Sequence, residues 1–239
     1  ADLAALFSER GLGGRDPDLK DRLLRFRSDK GQRARSMAKL SKRWASLAKV
    51  KESEDHNLGL VVGRGFPEQI AKTRPGKPGE YLMANGRGAK LDPDHPLSAN
   101  DWLAIGELTG GGATLRIVSA AALSETDAQS ILPPEDADTA EFDIKLGRVS
   151  AKRVRRMGAI TLSQSNLPKP GADLTLSALL DAVRIHGMDI LPVKDALSTL
   201  SARISFLHQH KGDPWVSDYF PVLTERLEDW LEPLLNNAK

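Results

Sequence analysis

The sequence predicts an α+β fold: an N-terminal helical bundle remnant, a central small antiparallel β-barrel and C-terminal helices. Three observations predict it. Apolar residues up to about residue 51 recur at steps of three and four, the period of an amphipathic helix. From 80 to 165, short β-prone runs alternate with Gly-rich and Pro-rich joints, which suits hairpin-linked strands closing into a barrel. After Pro168, Lys169, Pro170 and Gly171 the helical period returns. The segments implied are 1–53, 54–168 and 169–239.

Each element has a local reason. Leu3, Leu6 and Phe7 give a helix over 1–10, stopped by Gly11, Gly13 and Gly14. Asp16 is placed to cap the next helix, with Pro17 in its first turn and Leu19, Leu23, Leu24 and Phe26 as the apolar stripe. A third helix is expected over 32–51, with Met37, Leu40, Trp44 and Leu47 as one buried seam. Glu54, Asp55 and His56 read as a polar loop, and 56–72 as mixed helix with Pro67 opening a short second turn.

Strands are expected over 80–84, 89–91, 102–108, 113–121, 140–146, 149–157 and 159–165, interrupted by a helix over 125–131. Asn85-Gly86 supports positive φ at little cost, so 81–91 is a hairpin with Arg87 in its turn and Lys90 just beyond. Gly110, Gly111 and Gly112 make another turn, and Glu135, Asp136 and Asp138 fall in a loop after two prolines. Three closing helices are expected over 174–186, 193–210 and 219–235, the middle one with Leu197, Leu200, Ile204 and Leu207 as its stripe.

The composition, 40% apolar and 28% charged over 239 residues, is that of a soluble globular protein. The net charge of +2 hides a segregation. Eleven Lys or Arg lie between Arg22 and Lys51 with one acid, Asp29, whereas 125–143 is acidic without a single base. Such a division points to a basic face for an anionic partner. The absence of cysteine excludes disulfides and thiolate chemistry and fits a reducing cytoplasm. No run of about 18 apolar residues suggests a membrane span. The opening ADLAALFSERGLGG lacks the basic start and long apolar core of a signal peptide. Because it begins inside a helical pattern, it reads as part of a longer chain.

Catalytic chemistry is not legible. An ATPase needs GxxxxGK[ST] to cradle phosphates, and Gly110-Gly111-Gly112 continues with Ala113 and Thr114 instead of Lys. His208 and His210 are two apart, which turns them to different sides of a helix, and His56, His95 and His186 lack close carboxylate company. No GxSxG elbow occurs. No catalytic residue, metal ligand or cofactor is therefore assigned to this segment.

Binding is the better prospect. On the third helix Arg33, Arg35, Lys39, Lys42 and Arg43 lie off the apolar seam. Arg87 and Lys90 crown the hairpin, and Lys152, Arg153, Arg155 and Arg156 load one strand, read as a barrel strand. Aromatic content is only 5%, so a base-stacking platform is poorly supported and contact with the sugar-phosphate backbone fits better.

Five blocks carry a family resemblance: LAALFSER (3–10), FPEQIAKTRPGKPGEYLMANGRGAKL (66–91), RRMGAITLSQSNLPKP (155–170), LLDAVRIHGMDILP (179–192) and LEDWLEPLL (227–235). In this order they resemble blocks of the bacterial HrpB-type DEAH-box ATP-dependent helicases. The resemblance implies that 1–53 ends a helicase-associated helical domain, that 54–168 holds an oligonucleotide-binding-like barrel, and that 169–239 opens the family's own C-terminal region. It also implies that ATP and Mg²⁺ bind RecA-like domains outside this chain. The partners implied are a single strand of nucleic acid, RNA before DNA, and those RecA-like domains. The alternative from sequence is a protein-docking module, using the acidic stretch 125–143 and the apolar C-terminal helices.

Overall fold

The computed structural model describes residues 1–49, 57–191 and 194–237, so the expected boundary at 53/54 and the loop of Glu54, Asp55 and His56 lie outside the described residues. The chain divides into two units: the described residues of 1–135 with 155–162, and 136–154 with the described residues beyond 162.

The first unit opens with α1 (Asp2–Ser8), α2 (Leu19–Ser28) and α3 (Gln32–Leu47). The cap of α2 is Asp18, whose carboxylate accepts from the Lys20 N–H at 2.8 Å, and not the expected Asp16. Leu19, Leu23 and Phe26 are buried, but Leu24 is 57% exposed. It stands one residue, about 100°, off their face. Helix α3 ends short of the expected 51, and Leu47 is 71% exposed. Met37, Leu40 and Trp44 are only half-buried; the buried positions are Ala34 and Ser41. Both are small, and the Ser41 hydroxyl donates to Asp2 on α1 at 2.7 Å.

Next come α4 (Leu58–Gly65), a 3-10 turn (Pro67–Gln69), and strands β1 (Ile70–Arg74), β2 (Lys77–Met83), β3 (Gly88–Lys90), β4 (Trp102–Thr109) and β5 (Thr114–Ala122), followed by α5 (Glu125–Ile131). The strands close into a barrel in the order β1-β2-β3-β5-β4. Residues 70–72, expected to be helical, are strand because they fill the slot between β2 and β4: Ala71 faces Met83 on one side and Leu103 on the other. The barrel is not wholly antiparallel, since β3 and β5 run parallel. Strand alternation divides its residues between two cores. Ala71, Tyr81, Met83, Leu103, Ile105, Leu115 and Ile117 fill the interior. Ile70, Ala84, Trp102 and Ala104 on the outer wall pack with Leu6, Leu19, Phe26 and Val62 of the helices. The Tyr81 hydroxyl donates to the Asn100 carbonyl at 2.9 Å, and burial, with Asp101 nearby, pushes its pKa up to about 12.

The remaining strands form a sheet of their own, β6 (Glu135–Asp143), β7 (Arg148–Met157) and β8 (Ile160–Asn166), in the order β6-β7-β8. The basic strand is therefore not a barrel strand. Glu135, Asp136 and Asp138, expected in a loop, lie in β6, which starts earlier than predicted and ends before Ile144. Low β propensity is offset here by cross-strand pairing, in which Asp138 meets Arg153 of β7. In the first unit, Gly158 turns β7 into β8 at φ +58, where an added Cβ would lie 2.4 Å from the Ala84 oxygen. The next residue, Ala159, donates its N–H to that same oxygen at 2.8 Å.

The second unit continues with α6 (Ala172–His186), a 3-10 turn (Met188–Ile190), α7 (Lys194–Lys211), α8 (Phe220–Glu225) and α9 (Leu227–Asn237). Leu180, Val183, Met188, Leu227 and Leu231 make its core. The helix expected over 219–235 is two helices broken at Arg226, and Trp230 Nε1 donates to the Leu223 carbonyl beside the break at 2.9 Å. On α7, Ile204 is buried but Leu200 is 43% exposed. No helix among the described residues is long and apolar enough to cross a membrane.

Candidate functional site

On α3, Arg35, Lys39, Lys42 and Arg43 are exposed, and among the described residues none has a partner. Steps of four, three and one place them within about 100° of one another around the helix axis, opposite the packed side. Arg33 differs: it is paired with the Glu9 carboxylate and donates to the Arg10 carbonyl at 2.6 Å. Arg22, which also belongs to the basic run, is buried. It donates to the Leu6 and Leu12 carbonyls at 3.4 Å each and meets Glu107 at 3.3 Å, tying helices to barrel. A buried cation so satisfied is structural.

The hairpin is where Asn85-Gly86 put it. Gly86 has φ +86, and the Asn85 side chain accepts from the Arg87 N–H at 3.0 Å. The Arg87 guanidinium donates to the Gly112 carbonyl at 3.0 Å, which fastens this turn to the one between β4 and β5. Lys90 pairs with Glu80 at 3.0 Å across the β2–β3 ladder and stands opposite Arg116 in the parallel β3–β5 register. Arg116 in turn faces Thr109. Glu80, Lys90, Arg116 and Thr109 thus form one row across four strands, with neighbouring strands about 4.8 Å apart. The hydrogen bond from Lys90 holds Glu80 below the usual carboxylate range, and the charges of Lys77 and Arg74 add to it. Three cations, Arg74, Lys77 and Lys90, therefore act on one carboxylate, and Arg116 stands beside Lys90 on the next strand. Sequence reasoning found only Lys90 among them, because the others are joined to it by strand register.

On β7, Lys152 in the second unit and Arg155 and Arg156 in the first are exposed, with no partner among the described residues. Arg153 is engaged. Its Nε and Nη2 donate to the two carboxylate oxygens of Asp138 at 2.8 and 2.9 Å, which holds Asp138 below and Arg153 above their ordinary values.

His95 does have carboxylate company, contrary to expectation. Its Nδ1 accepts from the Leu97 N–H at 3.1 Å, so in the neutral ring Nε2 carries the proton and donates to Asp16, also at 3.1 Å. Burial pushes the Asp16 carboxyl up, but the Asp18 N–H, His95 and Arg25 outweigh it and hold the group low. Both ring nitrogens are occupied, so His95 works as a latch between the loop leading into α2 and the 3-10 turn Pro96–Ala99. No group of three or more His, Asp or Glu side chains among the described residues is placed to hold a metal ion.

No family profile matches the chain. It is 28% identical over 192 residues to the ATP-dependent RNA helicase HrpB of Escherichia coli K12, covering 76% of this chain and 23% of that protein. Two solved structures are similar in fold, one described as the E. coli DExH-box NTPase HrpB (TM-score 0.62) and one as the E. coli DEAH/RHA helicase HrpB (TM-score 0.61). Each is 25% identical; the match covers 100% and 99% of this chain and 29% of theirs. The chain thus resembles a portion of HrpB in sequence and in fold, and spans about a quarter of the length of that curated relative.

Proposed function

We propose that this chain, which resembles a portion of HrpB-type helicases along its length, is a nucleic-acid-binding accessory region of an ATP-dependent helicase. It grips the backbone of a single strand, RNA in the first instance, while RecA-like domains outside the chain bind ATP and Mg²⁺ and drive unwinding in the cytoplasm. The observation that carries this reading is the barrel row in which Lys90 and Arg116 stand side by side on parallel strands. A five-stranded barrel of order β1-β2-β3-β5-β4 is oligonucleotide-binding-like, and such barrels take single strands along a charged face. The unpaired cations of α3, with Lys152, Arg155 and Arg156, supply further phosphate contacts. Few aromatic residues leave recognition to the backbone, which carries no sequence information.

Binding of a labelled single-stranded oligouridylate across salt tests this. Affinity is expected to fall as salt rises from about 50 to 200 mM, and Arg116→Gln should flatten the log–log slope by about 0.7, the share of one contact, with a smaller change for Lys90→Gln, whose ammonium is already paired with Glu80. A slope near zero for the wild type overturns the reading. Retention of a protein partner at high salt, without oligonucleotide binding, would support a docking module instead.

A further inference from the structure

Strand β6 carries Glu135, Asp136, Asp138, Glu141 and Asp143 and no base. Its neighbour in the sheet is β7, which carries Arg148, Lys152, Arg153, Arg155 and Arg156 and no acid. Charge on an edge strand protects against edge-to-edge pairing, but that role requires no particular contact. Here a specific contact is made: Arg153 receives Asp138 in the two-pronged geometry with which a guanidinium also receives a phosphate. Asp136, two residues before Asp138 on β6, adds its charge to the field at Arg153. The adjacent Lys152 has no such carboxylate among the described residues; the Thr139 hydroxyl donates to its backbone oxygen at 3.4 Å.

We propose that β6 is an internal competitor for the anion site of β7, with the Asp138 carboxylate seated where a backbone phosphate of single-stranded nucleic acid would sit. This rests on the nucleic-acid reading above and adds regulation to it. A strand engages Arg153 only by displacing Asp138. An isolated phosphate has no advantage over a carboxylate already held in place by the chain. A polyanion has one, because many simultaneous contacts and released counterions act together. The device therefore selects extended strands over small anions and makes binding at β7 less steeply salt-dependent than a free arginine would.

The test uses the full chain and a labelled single-stranded oligouridylate. Asp138→Asn is expected to tighten binding about threefold at low salt and to steepen the salt slope by about 0.7, the share of one freed arginine. The gain should vanish when Arg153→Gln is added. Glu141→Gln makes the same charge change on an exposed β6 residue that does not touch Arg153, and should give much less. Two measurements on chains with Asp138 intact keep the test independent of how that variant folds. Arg153→Gln alone should cost little affinity, because its site is already filled, whereas Lys152→Gln should cost several-fold. Equal losses for those two, equal gains for Asp138→Asn and Glu141→Gln, or no gain for Asp138→Asn, would each overturn the competitor. If neither wild type nor Asp138→Asn binds at low salt, the nucleic-acid reading fails with it. Binding by wild type without a gain ends the competitor alone.

Discussion

Helix α3 and strand β7 are both strongly basic, yet they engage their cations differently. On α3, Arg35, Lys39, Lys42 and Arg43 project from the side away from the packed Ala34 and Ser41, and none has a partner among the described residues. On β7, Lys152, Arg155 and Arg156 are likewise without a partner among the described residues, but Arg153 is held in a two-pronged pair by the neighbouring strand. The reason is geometric. A surface helix turns one face to the core and the other to solvent, so charges on the far face meet no neighbour. A strand is flanked at about 4.8 Å, and its side chains meet whatever the adjacent strand brings. A run of cations in a sequence is available charge only where the secondary structure leaves it without a lateral partner.

The sharpest way to break this comparison is to strip the free stripe. Changing Arg35, Lys39, Lys42 and Arg43 together to Gln should weaken oligouridylate binding at least about thirtyfold and flatten the salt slope by nearly 3, at about 0.7 per contact. Because Gln is a good helix former, the melting temperature should stay within a few degrees. If the quadruple variant binds like wild type, the free stripe is merely solvated.

Next in size is the turn that ends β7. Gly158→Ala forces a side chain into positive φ and against the Ala84 oxygen, and should cost about 1–3 kcal/mol in a denaturant melt. An unchanged melt would mean that this turn does not fix the end of the strand.

The smallest effect concerns the footing of α3. Burial pushes the Asp2 carboxyl up, but the Ser41 hydroxyl and Arg27 outweigh it and hold the group below its ordinary value in the folded state. A lowered acid stabilises the fold above its unfolded pKa, and that contribution is lost as pH falls through the lower folded value. Thermal melts should therefore lose stability below about pH 4, and Asp2→Asn should be less pH-dependent in that window while being less stable at neutral pH. A parallel acid profile for the two proteins would remove the Asp2–Ser41 contact from the account of how α3 is held.

Much of the local structure was legible. The hairpin at Asn85-Gly86, the turn at Gly110 to Gly112 and the helix Glu125–Ile131 follow from glycine conformation and spacing, which act within a few residues. Strand β1 was not legible, because IAKTR is strand only when it lies between β2 and β4. Strand β6 was not either, since its acidic residues disfavour a strand locally and the pair that engages it, Asp138 with Arg153, comes from the neighbouring strand. Of the candidate site, the α3 stripe could be read from helical spacing alone. Arg116 could not, because nothing in local sequence announces that β5 will lie parallel to β3, and Arg74 and Lys77 could not, because they meet across the unread β1–β2 pair. For the same reason His95 was separated from Asp16, which the folded chain brings to 3.1 Å.

Read locally, the chain shows most of its helices, the points where glycine reverses it, and the segregation of basic from acidic residues. Those are properties of neighbours within about one turn of chain, fixed by sterics and by the 3.6-residue and 2-residue periods. Only the folded chain shows that the barrel closes with five strands, that β6 to β8 form a sheet of their own, and which cations keep their charge unpaired. These depend on groups far apart in sequence, and an ion pair or a strand register exists only once chain closure has brought both partners together.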